Sequence, residues 1–190
     1  MRKPIRNMLR RGAAAVSAAL AVVSAAPGTA TAAPAAGHDH RTVAVGGRTF
    51  EPNLFAGPTV LPATGGTVFV AGTGYNRAQG IFLAFCAVPD AVRPGNPATY
   101  LSPPTPCLPG RDSKDGSSRR ITDAATGTPG ITIPYREGGS FVTSLTNLRP
   151  ELADGVVCDV NVRCAIVTRA DFTATADRSY DLYIPVTFVR

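Results

Sequence analysis

Residues 155–168 read GVVCDVNVRCAIVT. Cys158 and Cys164 bracket a polar turn, and β-branched residues run into it and out of it. Val156, Val157, Val160, Val162, Ile166 and Val167 suit pleated strands. Structural zinc sites space their cysteines by two to four residues and need four ligands; here five residues intervene and no histidine follows. A thioredoxin-like exchange site wants two intervening residues ahead of a helix. The stretch therefore reads as a disulfide brace near the start of a β-hairpin, provided the chain lives where disulfides form.

The N-terminus supplies the compartment. Residues 1–11 carry Arg2, Lys3, Arg6, Arg10 and Arg11, an alanine-rich apolar run follows from Gly12 to Ala26, and a small-residue site lies at Ala30-Thr31-Ala32. This is the three-part pattern of a secretory signal peptide, with residues 1–32 removed and a secreted, extracellular product that is free or held at the cell envelope. The apolar run is shorter than the roughly 20 residues that span a bilayer, and no later run reaches that length. The whole chain has 19 Lys+Arg against 13 Asp+Glu. Five of those bases and none of the acids sit in residues 1–32, so the mature chain is nearly neutral at 14 against 13. Its only tight basic pair is Arg119-Arg120, not the clustered footprint of a nucleic-acid binder. No direct nucleic-acid binding is expected.

All four cysteines, Cys86, Cys107, Cys158 and Cys164, lie beyond the export segment. Four cysteines allow three pairings. The local arrangement Cys86–Cys107 and Cys158–Cys164 is favoured, because turn residues flank each pair. Chain entropy gives the longer loop about 3 kcal/mol and the shorter about 2. Histidines occur only at His38 and His40, in AAGHDHRT. That stretch falls within 33–56, read as a flexible N-terminal tail. With Asp39 the pair offers at most a loose metal site, so no metal or cofactor is expected. The folded domain then has no histidine for a serine or cysteine nucleophile, and the chain is read as non-enzymatic.

Residues 57–190 carry the strand signals. Thr59–Leu61 and Thr67–Ala71 flank a Pro/Gly turn. GIFLAFCAV, 80–88, is apolar on both faces, with Phe82, Ala84 and Cys86 on one and Ile81, Leu83 and Phe85 on the other. A near-continuous apolar run marks a strand buried on both sides. A proline- and glycine-rich loop spans 89–109. Further strands are expected at 130–135, 138–148, 155–158 and 163–169, and YDLYIPVTFV closes the chain with Pro185 at an edge or bulge. No helical period of useful length follows the export segment. Some seven short strands with Gly/Pro turns give an all-β, antiparallel, immunoglobulin-like sandwich with two local disulfides.

GPTVLPATGGTVFVAGTGY, LAFCAV, PCLPG and GVVCDVNVRCAIVTRADFTATADRSYDLYIPVTF together resemble the neocarzinostatin family of secreted actinomycete chromophore-carrier apoproteins. The tail from Val167 looks most like the family's uncharacterised secreted relatives. The resemblance covers roughly residues 57–189 and implies a seven-stranded sandwich with the same two disulfides. It also implies a ligand cleft beside the first disulfide, where Cys86, Cys107 and Leu108 match part of the floor. Three positions differ from the family pattern: Val88 stands for an aromatic, Ala165 for a polar amide and Arg169 for a small hydroxyl. Phe82, Tyr100 and Phe141 are further apolar candidates for the cleft. The function implied is a secreted, monomeric small-molecule binding module taking a small apolar ligand. An extracellular or envelope domain contacting protein or glycan, and an enediyne-type carrier, are the alternatives.

Overall fold

The computed structural model describes residues 35–108 and 114–189. Residues 1–32, expected to direct export, lie outside them. The described chain forms two sheets packed face to face. The first has four antiparallel strands in the order β1 (Gly37–His40), β4 (Asn53–Gly57), β6 (Gly66–Thr73), β10 (Phe141–Leu148). The second has six, in the order β5 (Val60–Pro62), β14 (Leu182–Val189), β13 (Arg163–Ala170), β7 (Ile81–Val88), β8 (Ser118–Ile121), β9 (Thr132–Ile133). Its interior pairings are antiparallel, and only the edge pairs β5/β14 and β8/β9 are parallel. Two small hairpins complete the fold: β2 (Val43–Val45) with β3 (Arg48–Phe50), and β11 (Glu151–Ala153) with β12 (Val156–Val157). The all-β sandwich read from the sequence is present. It has more strands than seven because short edge strands extend both sheets.

Side chains alternate as a pleat requires. Leu54 and Ala56 of β4, Val68 and Val70 of β6, and Phe141 and Leu145 of β10 point inward. They meet Ile81, Leu83 and Phe85 of β7, Ile166 of β13, and Leu182, Ile184 and Val186 of β14. Burying each such side chain stabilises the fold by about 1.5–3 kcal/mol. Along β14, Tyr183 and Thr187 turn their N–H groups away from β13, to Asp39 Oδ2 and Thr59 O. Pro185 falls between them on that same side, where its missing N–H leaves no donor to satisfy.

Two expectations need correction. Of the expected flexible tail 33–56, the described residues from 35 on are ordered into strands: β1 to β4 occupy most of residues 37–57, and β1 extends the four-stranded sheet. Gly37 permits this, since a Cβ there would stand 2.2 Å from Ile184 Cγ2. Asp39 locks the strand in place and is only 3 % exposed. Its carboxylate accepts the Tyr183 N–H at 2.7 Å and the Tyr100 hydroxyl at 2.8 Å. The strands at 156–157 and 163–170 are also not partners in one hairpin. β12 folds back on β11, whereas β13 enters the large sheet between β7 and β14. The Cys158–Cys164 disulfide closes the turn between them, so it braces a crossover from one pairing to another.

Candidate ligand cavity

The outward side of the six-stranded sheet carries Phe82, Ala84, Cys86 and Val88 from β7 and Ala165, Val167 and Arg169 from β13, set side by side by the register. Tyr183 of β14 faces Val167 across the strands. The sequence makes this face apolar, and an apolar sheet face needs a cover. The cover is the loop 89–108. Cys107 is bonded to Cys86 on the sheet. Backbone bonds Ala87 N to Pro106 O and Leu108 N to Phe85 O lay the end of the loop along β7. Val92 and Tyr100 then pack onto Cys86, Val88, Ala165, Val167 and Tyr183 as a second core. The Tyr100 and Tyr183 rings meet edge to face at 4.6 Å. Burial, reinforced by the bond to Asp39, pushes the Tyr100 hydroxyl well above its ordinary range, so it stays a neutral donor.

Where this cover stops short, a cavity of about 210 Å³ remains. Phe82, Ala84 and Arg169 line its sheet side, Ser118 its β8 side, and Pro104, Thr105 and Cys107 its loop side. The lining is mainly apolar, with Ser118, Thr105 and Arg169 as its polar residues. Beyond Phe82 the wall is held by a buried ion pair. Arg120 Nη2 lies 2.7 Å from Asp171 Oδ2, and its guanidinium sits 4.2 Å over the Phe172 ring, which contacts Phe82. Gly80 makes room for that carboxylate, since a Cβ there would stand 2.2 Å from Asp171 Oδ2. Burial alone would raise the Asp171 pKa. Bonds from the Thr173 hydroxyl and N–H and from Arg120 outweigh it and hold the carboxyl below its usual value. Asp181, fully buried on β14's approach, goes the other way. Burial pushes it up to about 7 against the pull of Arg178, Arg169 and Arg41.

Of the residues expected to line a cleft, the structure brings Phe82, Cys107 and Arg169 to the cavity. The others do not line it. Leu108 and Phe141 belong to the main core, and Cys86, Val88, Tyr100 and Ala165 to the second one. The reason is the loop: Tyr100 and Val92 fill the space over the sheet that an open cleft would have left. Sequence reasoning missed Ala84, Pro104, Thr105 and Ser118. The alternation in β7 was sufficient to find Ala84, which shares a face with Phe82 and Cys86. No local signal marks Ser118, whose place depends on the cross-strand pairing with Ala84. Among the described residues, no group of three or more histidine, cysteine or acidic side chains is arranged to hold a metal.

No protein-family model matches the chain. No curated protein matches it either. Among solved structures it is similar to macromomycin, at 21 % identity over 73 % of this chain and 99 % of that one, with a TM-score of 0.42.

Proposed function

We propose that the protein is a secreted, non-enzymatic module that binds a small, largely apolar molecule in the cavity beside the Cys86–Cys107 disulfide. The observation that carries this reading is the cavity itself: a concave, mainly apolar site with a few polar residues, on the outward face of the six-stranded sheet. Its volume of about 210 Å³ falls below the roughly 300–1,000 Å³ of drug-sized pockets. That volume favours a one- or two-ring compound over a large enediyne chromophore. Among the described residues that line the cavity, none is a histidine or a carboxylate. The cysteine-bearing motifs that resemble the carrier family agree with this reading, and the signal-like residues 1–32 agree with export.

Ala84→Phe tests the site, because it places a ring in the cavity floor. Ligand-observed NMR with naphthalene-type and indole-type probes is expected to show binding to the protein and none to the variant. Equal binding by both, with the variant folded by circular dichroism, would place the ligand elsewhere. Native mass spectrometry of protein from its producing cells would reveal a retained natural ligand, and the denatured mass would report loss of residues 1–32.

A second reading, an extracellular contact domain, rests on a separate observation. Phe55, Phe69 and Val142 stand exposed together on the outward side of the four-stranded sheet, with Phe69 68 % exposed.

A further inference from the structure

The outward side of β1 carries His38 and His40, two residues apart on one strand and therefore on the same face. Both are exposed, and β1 is the outer strand of its sheet, so approach is open. Their rings are parallel to within 4°, with centroids 5.3 Å apart. Two imidazoles bound to one ion at about 2.0 Å per bond, with nitrogens at a tetrahedral angle, place their ring centres roughly 5 Å apart. The observed centroid separation is close to that value.

The neighbouring strand prepares the pair further. Asn53, directly across from His40, donates its amide Nδ2 to Glu51 O at 2.7 Å. That bond turns Asn53 Oδ1 toward His38 Nε2, 3.1 Å away. An amide oxygen only accepts, so His38 Nε2 carries a proton, and in the neutral ring the lone pair is then at Nδ1. Fixing the tautomer through the other ring nitrogen is how proteins commonly orient a metal-binding imidazole. Phe55 stacks on the His38 ring at 4.4 Å and limits its rotation. The outward positions nearby on β4 and β6, at Asn53, Phe55, Gly57, Phe69, Ala71 and Thr73, hold no lysine or arginine to repel a cation.

We propose that His38 and His40 form a surface chelate for a borderline divalent cation of the zinc, nickel or copper class. His38 binds through Nδ1, Asn53 acts as a positioning residue, and water completes the coordination. Imidazole ligands suit these ions, whereas magnesium and calcium want oxygen ligands.

The test is zinc titration of untagged protein by calorimetry, paired with long-range ¹H–¹⁵N NMR of the two rings. The expected result is one zinc per chain, the metal-free His38 in its Nε2–H form, and a metal-induced shift at Nδ1. His38→Ala and His40→Ala abolish binding, and Asn53→Ala weakens it about tenfold while shifting the His38 tautomer. Thermal melts would establish that these exposed substitutions leave the fold intact. Zinc binding that survives both histidine substitutions, an Nδ1–H tautomer at His38, or no binding at all would overturn the proposal.

Discussion

The two outward faces of the sandwich begin alike and end differently. On the six-stranded sheet, Phe82, Ala84, Cys86, Val88, Ala165 and Val167 make an apolar surface, and loop 89–108 covers it until only a small cavity remains. On the four-stranded sheet, Phe55, Phe69, Ala71 and Val142 also lie close together, and Phe55, Phe69 and Val142 stay exposed. The strands announce this contrast. β7 is apolar at every position and buried nearly throughout, as a strand packed on both sides must be. β6, GTVFVAGT, alternates buried and exposed residues as a strand with one wet face does. Phe69 is its exception, a ring spent on solvent where a polar residue would do. An apolar outer row is thus either the floor of a second core or a surface with a use of its own.

The largest expected effect lies under the cover. Replacing Cys86 and Cys107 together by alanine frees a loop whose ends are 21 residues apart. About 3 kcal/mol of stability should be lost, read by urea denaturation, with new binding of a hydrophobic dye to the uncovered sheet. An unchanged dye signal would mean that Tyr100 and Val92 hold the loop without the bond.

A smaller effect should follow pH. Burial raises the Asp181 carboxyl to about 7 in the folded protein, above its usual 3.8. Between these values the folded state holds a proton that the unfolded state has released. Stability from this group is therefore complete below about pH 4 and declines as pH rises through 7. Asp181→Asn should flatten that slope in melting temperature. Asp171, held below its usual value, acts in the opposite sense and only in more acidic solution, so the two windows separate.

The smallest effect belongs to the bare face. Phe69→Ser should change stability by less than about 0.5 kcal/mol, because the ring is mostly in water already. It should also weaken adsorption to a phenyl column. A large loss of stability would show that this face is covered in solution after all.

Composition and alternation alone determined the all-β class, the sandwich, the inward rows of β6, β7, β10 and β14, the need for Pro185 to sit where no ladder N–H is wanted, and the local pairing of the cysteines. These follow from period-two patterning, from turn residues and from proline's missing N–H, all written within a few residues of one another. Tertiary structure decided the rest. Nothing in AAGHDHRT says that Asp39 is buried, because its partners, Tyr100 and the Tyr183 N–H, lie 61 and 144 residues away. For the same reason Tyr100, legible as an aromatic in a proline-rich loop, fills the expected cleft and does not line it. Cross-strand register sets Ser118 beside Ala84, and His38 and His40 become a fixed pair only once β1 docks on β4. Local sequence carries backbone preference and burial pattern; which distant side chains meet is settled by packing the sheets and laying the loop across them.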